Sequence, residues 1–267
     1  MIRRPAVAGQ FYPGQTAELR RVIGEFVNPK EQRVSAIGVV SPHAGYVYSG
    51  RVAGALFSRV EVTDTVIILA PSHRGATAPF GLWTEGEWLT PLGPAPTDEP
   101  LAKRLLKEVG DLREDYFAHI SEHSGEVQVP FLLYQNPKVK IVSVVIATQD
   151  LNALKRFGTS LAQSLKDVRP RPLIVASSDM THYEPEEAAR RKDKLAIDEV
   201  LGLDPDALWT KVVGTPISMC GVGPTVAMLA CANQLGATKA ELVLYETSAR
   251  ASGDTSAVVG YAGILVR

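Results

Sequence analysis

Histidine and cysteine, the side chains that bind transition metals and exchange protons near neutral pH, occupy particular places in this sequence. Three of the five histidines follow directly after an apolar run, and one of the two cysteines precedes a glycine-rich segment. The motifs are SPHAGYVYSG with His43, APSHRG with His73, SSDMTHY with Asp179 and His182, and ISMCGVGP with Cys220. Loops that leave the carboxyl ends of neighbouring parallel strands converge on one crevice. Nitrogen and sulfur donors gathered there indicate a transition-metal site.

The two Pro-His motifs have the same form, an apolar strand followed by proline and histidine. Pro42 restricts the backbone before His43, and Gly45 permits a close approach or a positive φ angle. A rigidly presented histidine suits a metal or a substrate, whereas each could also be a loop histidine that is hydrogen-bonded to the backbone. The repetition of this form at His73 favours a metal or substrate role over that alternative.

Asp179 lies three residues before His182, after the apolar run PLIVAS. An aspartate beside a histidine can select its tautomer and raise its basicity. We therefore expect Asp179 to orient His182 as a general acid or base. The alternative is that Asp179 caps the helix that follows and His182 is exposed.

Cys220 comes immediately before a predicted helix, where backbone N–H groups and the helix dipole favour a thiolate. We expect it to be a metal ligand or a nucleophile. Cys231 falls inside the apolar stretch VAMLACANQL and is predicted to be a small core residue. The GVGP segment lacks the full dinucleotide-binding spacing, and the sequence contains no P-loop.

The segment HISEHSGEVQVPF begins with the H-x-x-E-H pattern of inverted zinc peptidases. In that interpretation His119 and His123 bind zinc and Glu122 is the general base. The Ser-Gly pair that follows is a poor continuation of a metal-bearing helix, and it favours a helix that starts after His123 and ends near Gln135. We therefore expect His119 to be a partly exposed polar side chain and His123 to lie near the cleft.

Strand and helix patterns alternate along the chain. Continuous apolar and β-branched runs predict strands covered on both faces, at Ala36 to Val40, Thr65 to Ala70, Lys140 to Ile146, Leu173 to Ala176, Glu241 to Tyr245 and Ala257 to Val266. Helical spacing predicts helices at Thr16 to Val27, Gly50 to Arg59, Asp98 to Val109, Leu151 to Val168, Pro185 to Leu201 and Gly223 to Leu235. This order predicts an α/β fold, a three-layer α/β/α sandwich. The last two strands should form an antiparallel hairpin, which makes the sheet mixed and mainly parallel.

Composition narrows the class of protein. The 267 residues, 45% of them hydrophobic, can bury a large core, and no repeat or Ser/Gly linker divides them, so we expect residues 1–267 to form one domain. Lys plus Arg (28) nearly balance Asp plus Glu (29), which argues against a nucleic-acid partner. No apolar run approaches the ~20 residues of a membrane span, and none at the start suits a signal peptide. With two cysteines expected to be reduced thiols, these features predict a cytoplasmic protein.

Eight segments, taken in order, resemble the Memo family, whose prokaryotic members are often called AmmeMemoRadiSam system protein B. They are RRPAVAGQFYPG, PHAGYVYSG, APSH, TPLG, EHSGEVQVPF, SSDMTHY, MCGVGP and VVGYA, and they extend from the first residues to the last. The resemblance implies a fold similar to the catalytic subunit of class III extradiol dioxygenases, an α/β domain with a non-haem iron cleft.

By this resemblance the metal ligands are His43, His73 and Cys220, with Asp179 and His182 in the same cleft and His123 nearby. Extradiol dioxygenases hold Fe(II) with two histidines and a carboxylate. The resemblance therefore makes Fe(II) the expected metal. A cysteine in the third place is softer and more easily oxidised than a carboxylate, so copper and zinc are competitors.

The leading functional hypothesis is a metal-binding, dioxygenase-like redox enzyme that acts on a small molecule, with His182, Asp179 and His123 as catalytic residues. The alternative is a non-catalytic scaffold whose cleft binds a peptide or another small ligand, and the zinc peptidase is a third hypothesis. The resemblance also implies a radical-SAM protein and an AMMECR-type protein as partners.

Overall fold

The computed structural model describes residues 1–267, and most of its strands lie in one large sheet. The strands are β1 (Ile2–Arg3), β2 (Gly38–Ser41), β3 (Thr65–Pro71), β4 (Phe80–Leu82), β5 (Glu87–Thr90), β6 (Gly93–Pro96), β7 (Leu112–Glu114), β8 (Lys140–Ile146), β9 (Leu173–Ser177), β10 (His182–Glu184), β11 (Ala240–Thr247) and β12 (Val258–Val266).

The large sheet has nine strands in the order β10-β12-β2-β9-β3-β8-β4-β7, with β11 also paired to β12. Its centre is parallel, because β2 pairs with β9 and β3 pairs with both β9 and β8 in that sense. The predicted hairpin of β11 and β12 is antiparallel, and β12 also pairs antiparallel with β2. The mixed, mainly parallel sheet predicted from the sequence is therefore confirmed.

Helices cover both faces of this sheet. They are α1 (Thr16–Phe26), α2 (Tyr46–Arg59), α3 (Glu99–Glu108), α4 (Phe117–Ile120), α5 (Val129–Gln135), α6 (Leu151–Leu165), α7 (Glu186–Leu201), α8 (Pro205–Gly214), α9 (Val222–Gln234) and α10 (Ala249–Ser252), with a 3-10 turn at Glu126–Gln128. Three of them begin where an aspartate side chain accepts N–H groups of the first turn, at Asp98, Asp150 and Asp204.

Two hydrophobic cores, one on each face, make the molecule a three-layer sandwich. Strand β3 shows how the pleat divides its side chains: Ile67 and Leu69 belong to the core under α3 and α6 to α9. Val66 and Ile68, which alternate with them, belong to the core under α1, α2 and α5. A strand buried on both faces has no polar face, which explains the continuous apolar runs in the sequence.

The proline-rich stretch at residues 85–100 forms part of a second, smaller sheet. Strands β5 and β6 form a hairpin, and β1 pairs in parallel with β5 in a register that sets Arg3 opposite Trp88. This pairing attaches the N-terminal segment to the body of the protein. No helix of the structure is both long and apolar enough to cross a membrane.

Close packing of α6 on α9 gives a test of the fold. A Cβ atom at Gly158 would lie 2.4 Å from the carbonyl oxygen of Ala227 and 2.8 Å from Cβ of Ala230. We expect Gly158→Ala to lower the free energy of unfolding in urea by ~1–3 kcal/mol because the two helices must separate. The control is Gly214→Ala in α8, where no atom lies within 4 Å of the added methyl group. Equal free energies of unfolding for Gly158→Ala and Gly214→Ala would contradict the close packing of α6 on α9.

Candidate metal centre

The chemistry-bearing loops meet because three adjacent parallel strands end side by side. Strands β2, β9 and β3 are neighbours in the sheet, and their carboxyl ends lead directly into His43, Asp179 and His73. The imidazole rings of His43 and His73 have centroids 5.3 Å apart, and His123 lies 5.5 Å from His43 and 4.7 Å from His73. One nitrogen from each ring lies within 4.8 Å of the others.

The hydrogen bonds of His43 determine its tautomer. The hydroxyl of Ser177 donates to the carbonyl oxygen of Ser124 (2.7 Å) and accepts from the Gln128 amide (2.9 Å). It can therefore only accept from His43 Nδ1, 2.9 Å away. The proton of a neutral His43 sits on Nδ1, and Nε2 keeps a free lone pair. Burial, and then the charges that His123 and His73 would carry, hold the pKa of His43 well below its usual range.

Glu122 determines the tautomer of His73 in the same way. Its Oε1 accepts from His73 Nδ1 at 2.9 Å and its Oε2 accepts from the main-chain N–H of His73 at 2.6 Å. Oε1 also accepts from the N–H and hydroxyl of Ser124. Burial alone would raise the pKa of this carboxyl, but the bonds from His73 and Ser124 lower it well below its usual value. Glu122 is thus ionised, and its bond to Nδ1 selects the neutral tautomer of His73 in which Nε2 carries the lone pair.

His123 contributes the third imidazole. Its Nδ1 is buried without a hydrogen-bond partner and lies 3.4 Å from Glu122 Oε1. Burial, aided by the charges of His73 and Arg74, lowers the pKa of His123 to about 4, although the Glu122 carboxylate opposes this. The ring is therefore neutral near pH 7, and both of its nitrogens are free of protein donors.

Cys220 lies beside His43, with Sγ 3.2 Å from His43 Nε2. The main-chain N–H of Asp179 donates to this sulfur at 3.3 Å. The glycine that follows allows the approach, because a Cβ at Gly221 would lie 2.3 Å from the carbonyl oxygen of Ser177. The expectation that the helix start favours a thiolate is wrong for the metal-free protein. Burial, and then the charge of Asp179, raise the pKa of Cys220 well above its usual value.

Asp179 and His182 lie in the same cleft but are held by other partners than expected. Asp179 Oδ1 accepts from the main-chain N–H of His43 at 2.7 Å, and burial raises the pKa of this carboxyl to about 6. His182 Nδ1 donates to the carbonyl oxygen of Ser218 at 2.9 Å. The predicted orientation of His182 by Asp179 is therefore corrected: Ser218 selects the tautomer of His182, whose Nε2 keeps a lone pair, and Asp179 positions the loop of His43.

His119 is separated from this cluster. It is fully buried between Trp83 and Trp88, and its Nε2 donates to the carbonyl oxygen of Gly81 at 3.0 Å. Its predicted exposure is wrong because the two tryptophan rings enclose it. Helix α4 ends at Ile120, so His119 and His123 do not share a helical face. The peptidase interpretation fails for that reason, whereas the predicted helix that ends at Gln135 is confirmed.

Aromatic side chains surround the mouth of the cleft, which encloses ≈ 700 Å³. Phe11 packs on His123 with ring centroids 4.9 Å apart, and Tyr48, Tyr183 and Tyr261 line the other walls. Tyr183 is 79% exposed and has a φ of 58°, a strained backbone conformation for a residue with a Cβ. A cleft of this size and lining suits a small organic ligand.

A buried ion pair fastens the loop that carries Glu122 and His123. Arg3 Nη1 donates to Glu126 Oε2 at 2.7 Å, and both side chains are 1% exposed. Arg3 also donates to the carbonyl oxygens of His119 (2.8 Å) and Glu122 (2.7 Å), and its guanidinium lies 4.2 Å from the Trp88 ring centroid.

The other oxygen contacts of Glu126 extend this network into the N-terminal segment. The carboxylate accepts from the main-chain N–H groups of Ala6 and Val7 and from the hydroxyl of Tyr12. Sequence reasoning overlooked Arg3, Glu126 and the role of Glu122 for His73. The available signal was their position inside the RRPAV and EHSGE segments, both of which were noted for another reason.

Comparison with known proteins places these features in a family. The sequence model described as "Memo-like protein" matches residues 3–265. A MEMO1 family protein of Methanopyrus kandleri is 38% identical over 100% of this chain and 99% of its own length. The MEMO1 family protein of Methanocaldococcus jannaschii is 41% identical, and the match covers 99% of each chain. The one of Aquifex aeolicus is 39% identical over 99% of this chain and 98% of its own length.

A solved structure shares the fold. The crystal structure of an uncharacterized protein from Escherichia coli K12 superposes with a TM-score of 0.51 at 14% identity, and the match covers 85% of this chain and 98% of that one. At this identity the likeness concerns the fold alone.

Removing the buried guanidinium of Arg3 should destabilise the contact between the N-terminal segment and the rest of the protein. We expect Arg3→Met to lower the free energy of unfolding by ~3–5 kcal/mol, because Glu126 is left charged and buried. Urea denaturation measures this loss. The matched control is Arg21→Met, which breaks an exposed pair with Glu25 and should change stability by less than ~1 kcal/mol. Equal effects of the two substitutions would contradict the network.

Proposed function

We propose that this chain, which belongs to the Memo family, holds a redox-active transition metal in its cleft and acts as a non-haem iron oxidoreductase on a small molecule. The observation that carries the proposal is the cluster of His43, His73 and His123, whose nitrogens lie within 4.8 Å of one another. Cys220 Sγ, 3.2 Å from His43 Nε2, is the further ligand that the sequence predicts.

The donor set fits a metal ion. Metal ligands must be deprotonated, and His43 and His123 are kept neutral, while His43 and His73 have the tautomer that leaves Nε2 free. A nitrogen and a sulfur bound to one tetrahedral ion lie about 3.5 Å apart, close to the separation of His43 and Cys220. The unpartnered Nδ1 of His123 supports an assignment of this ring to the site, so we propose His43 and His73 with Cys220, His123 or both.

The protein residues around such an ion have separable tasks. Fe(II), or copper or zinc in its place, would supply Lewis acidity and, for iron and copper, electron transfer. His182 Nε2 accepts a proton from the bound small molecule, since Nδ1 is committed to Ser218. Asp179 fixes the His43 loop, and Glu122 fixes His73. The aromatic side chains of Phe11 and Tyr261 would pack against the ligand.

A scaffold without turnover is the second candidate. The exposed Tyr183 and Tyr48 at the mouth favour it, because exposed aromatic side chains are frequent at binding surfaces. A peptide or small ligand would then occupy the cleft, and a radical-SAM protein and an AMMECR-type protein remain the proposed partners in the cytoplasm. Oxygen consumption by the iron-loaded protein against a panel of catechols distinguishes the two. Only an oxidoreductase consumes, in the presence of a catechol, more oxygen than the oxidation of its bound iron requires.

Substitution of the ligands tests the metal site. We expect His43→Ala and His73→Ala to abolish stoichiometric Fe(II) binding after anaerobic loading, measured by elemental analysis. Cobalt(II) should show thiolate charge-transfer absorption that Cys220→Ser removes, if Cys220 is a ligand. His119→Gln and Cys231→Ala are the controls, because both residues are buried away from the cleft. Full metal content in His43→Ala and His73→Ala would refute the site.

Glu122 offers a milder test. We expect Glu122→Gln to weaken metal binding by about 10–100-fold, because the amide cannot accept from both His73 donors and Ser124 as the carboxylate does. A competition titration with a chelator measures the affinity. Glu114→Gln, which removes a carboxylate bonded only to Thr84 and Tyr116, is the control. Unchanged affinity in Glu122→Gln would show that this carboxylate does not support the ligands.

A further inference from the structure

A second cavity opens beside the metal cleft and is not used by the proposed chemistry. It encloses ≈ 980 Å³ between the N-terminal segment and α4, and we call it the N-terminal groove. Its lining residues are Ile2, Arg3, Arg4, Pro5, Ala6, Val7, Gln10, Phe11, Arg74, Phe117, Ile120, Ser121 and His123. A volume of this order accommodates an organic ligand.

The charge of the groove is positive. Arg4 and Arg74 are exposed and form neither an ion pair nor a side-chain hydrogen bond with any residue of the protein. The third arginine, Arg3, is neutralised by Glu126. No aspartate or glutamate belongs to the lining. Two guanidinium groups without protein partners in the lining of one concave site are available as donors to an anion.

The groove also has an apolar wall. Ile2, Phe117 and Ile120 are 60%, 63% and 56% exposed, so large hydrocarbon side chains remain in water unless a ligand covers them. They come from two separate segments, β1 and α4, which the Arg3 network holds together. Exposed apolar side chains gathered in one concavity are typical of a binding site, whereas isolated ones are common on any surface.

The groove and the metal cleft are continuous. Phe11, Gln10 and His123 line both cavities, and Arg74 directly follows the candidate ligand His73. A molecule in the groove therefore lies against one of the imidazoles of the cluster and against the aromatic ring that packs on it.

We propose that the N-terminal groove binds a carboxylate-bearing, partly apolar small molecule, with its carboxylate on Arg4 and Arg74 and its hydrocarbon against Ile2, Phe117 and Ile120. This molecule is the substrate of the adjoining metal cleft, an assignment that rests on the proposed function. The metal cleft itself has no arginine or lysine in its lining, so the groove is where an anionic group of the substrate is recognised.

The set of donors favours a carboxylate over a phosphate. A carboxylate is matched by one or two guanidinium groups. Phosphate sites commonly add a lysine or a cradle of backbone N–H groups at the start of a helix. The groove offers no lysine, and α4, with four residues, is too short to supply such a cradle.

Fluorescence titration of the metal-free protein tests the groove independently of the metal. The probe is dansylaminoundecanoate, and its methyl ester is the uncharged analogue used for comparison. We expect the carboxylate to bind at least ~10-fold more tightly than the ester, and Arg4→Gln and Arg74→Gln each to weaken it by ~10-fold. Phe117→Ala should weaken both probes alike. Arg20→Gln, an exposed arginine outside the groove, and Val213→Ala, an exposed valine in α8, are the controls.

Competition and metal loading complete the test. Octanoate should displace the probe at lower concentration than octyl phosphate, and the reverse order would overturn the carboxylate assignment. Equal binding of acid and ester, or unchanged binding in both arginine variants, would overturn the groove. In protein loaded with cobalt(II), probe emission should be quenched relative to the zinc(II) form, and equal emission would overturn the link to the cleft. Absence of metal binding by the unaltered protein, together with intact probe binding, would refute the proposed function and leave the groove as a separate site.

Discussion

The buried ion pair of Arg3 and Glu126 joins two segments that are 123 residues apart, and the metal cluster depends on it. Arg3 holds the carbonyl oxygens of His119 and Glu122, and Glu126 holds the N–H groups of Ala6 and Val7. Each charge makes further hydrogen bonds besides the ion pair, which is the condition under which a buried ion pair is tolerated. The loop that carries Glu122 and His123 is thereby fixed against the N-terminal segment, which also supplies Phe11 and one wall of the groove.

The sheet and this loop make complementary contributions to the site. The ends of β2, β3 and β9 place His43, His73 and Asp179 at one edge, because parallel neighbours end on the same side. The loop then adds an imidazole and a carboxylate from outside the sheet. Ser177 accepts from His43 Nδ1 and Glu122 accepts from His73 Nδ1, so that Nε2 is the unprotonated nitrogen in the neutral form of each ring. Burial lowers the pKa values of His43 and His123, so that each ring is neutral and carries a single N–H proton.

Most of the fold could be predicted from the sequence, and the reason is visible in the central strands. Strand β8 was predicted with the bounds Lys140 to Ile146 that the structure has, since a strand covered on both faces is an uninterrupted apolar run. The short strands of the small sheet were not predicted, because two to four residues carry no periodicity. Helix α8 was also missed. His119 was misplaced because a polar side chain gave no sign that two tryptophans would enclose it.

The sequence by itself determined the layers of the fold, the strand ends at which His43, His73 and Asp179 appear, and the family. These features follow from local periodicity and from ordered motifs, both of which are written along the chain. Only the tertiary structure decided that Glu122 accepts from His73 and that Ser218, not Asp179, orients His182. It also decided that His123, expected near the cleft, comes within ligand distance of His43 and His73. Such pairings depend on hydrogen bonds between segments far apart in sequence, and no local pattern specifies which buried donor will meet which acceptor.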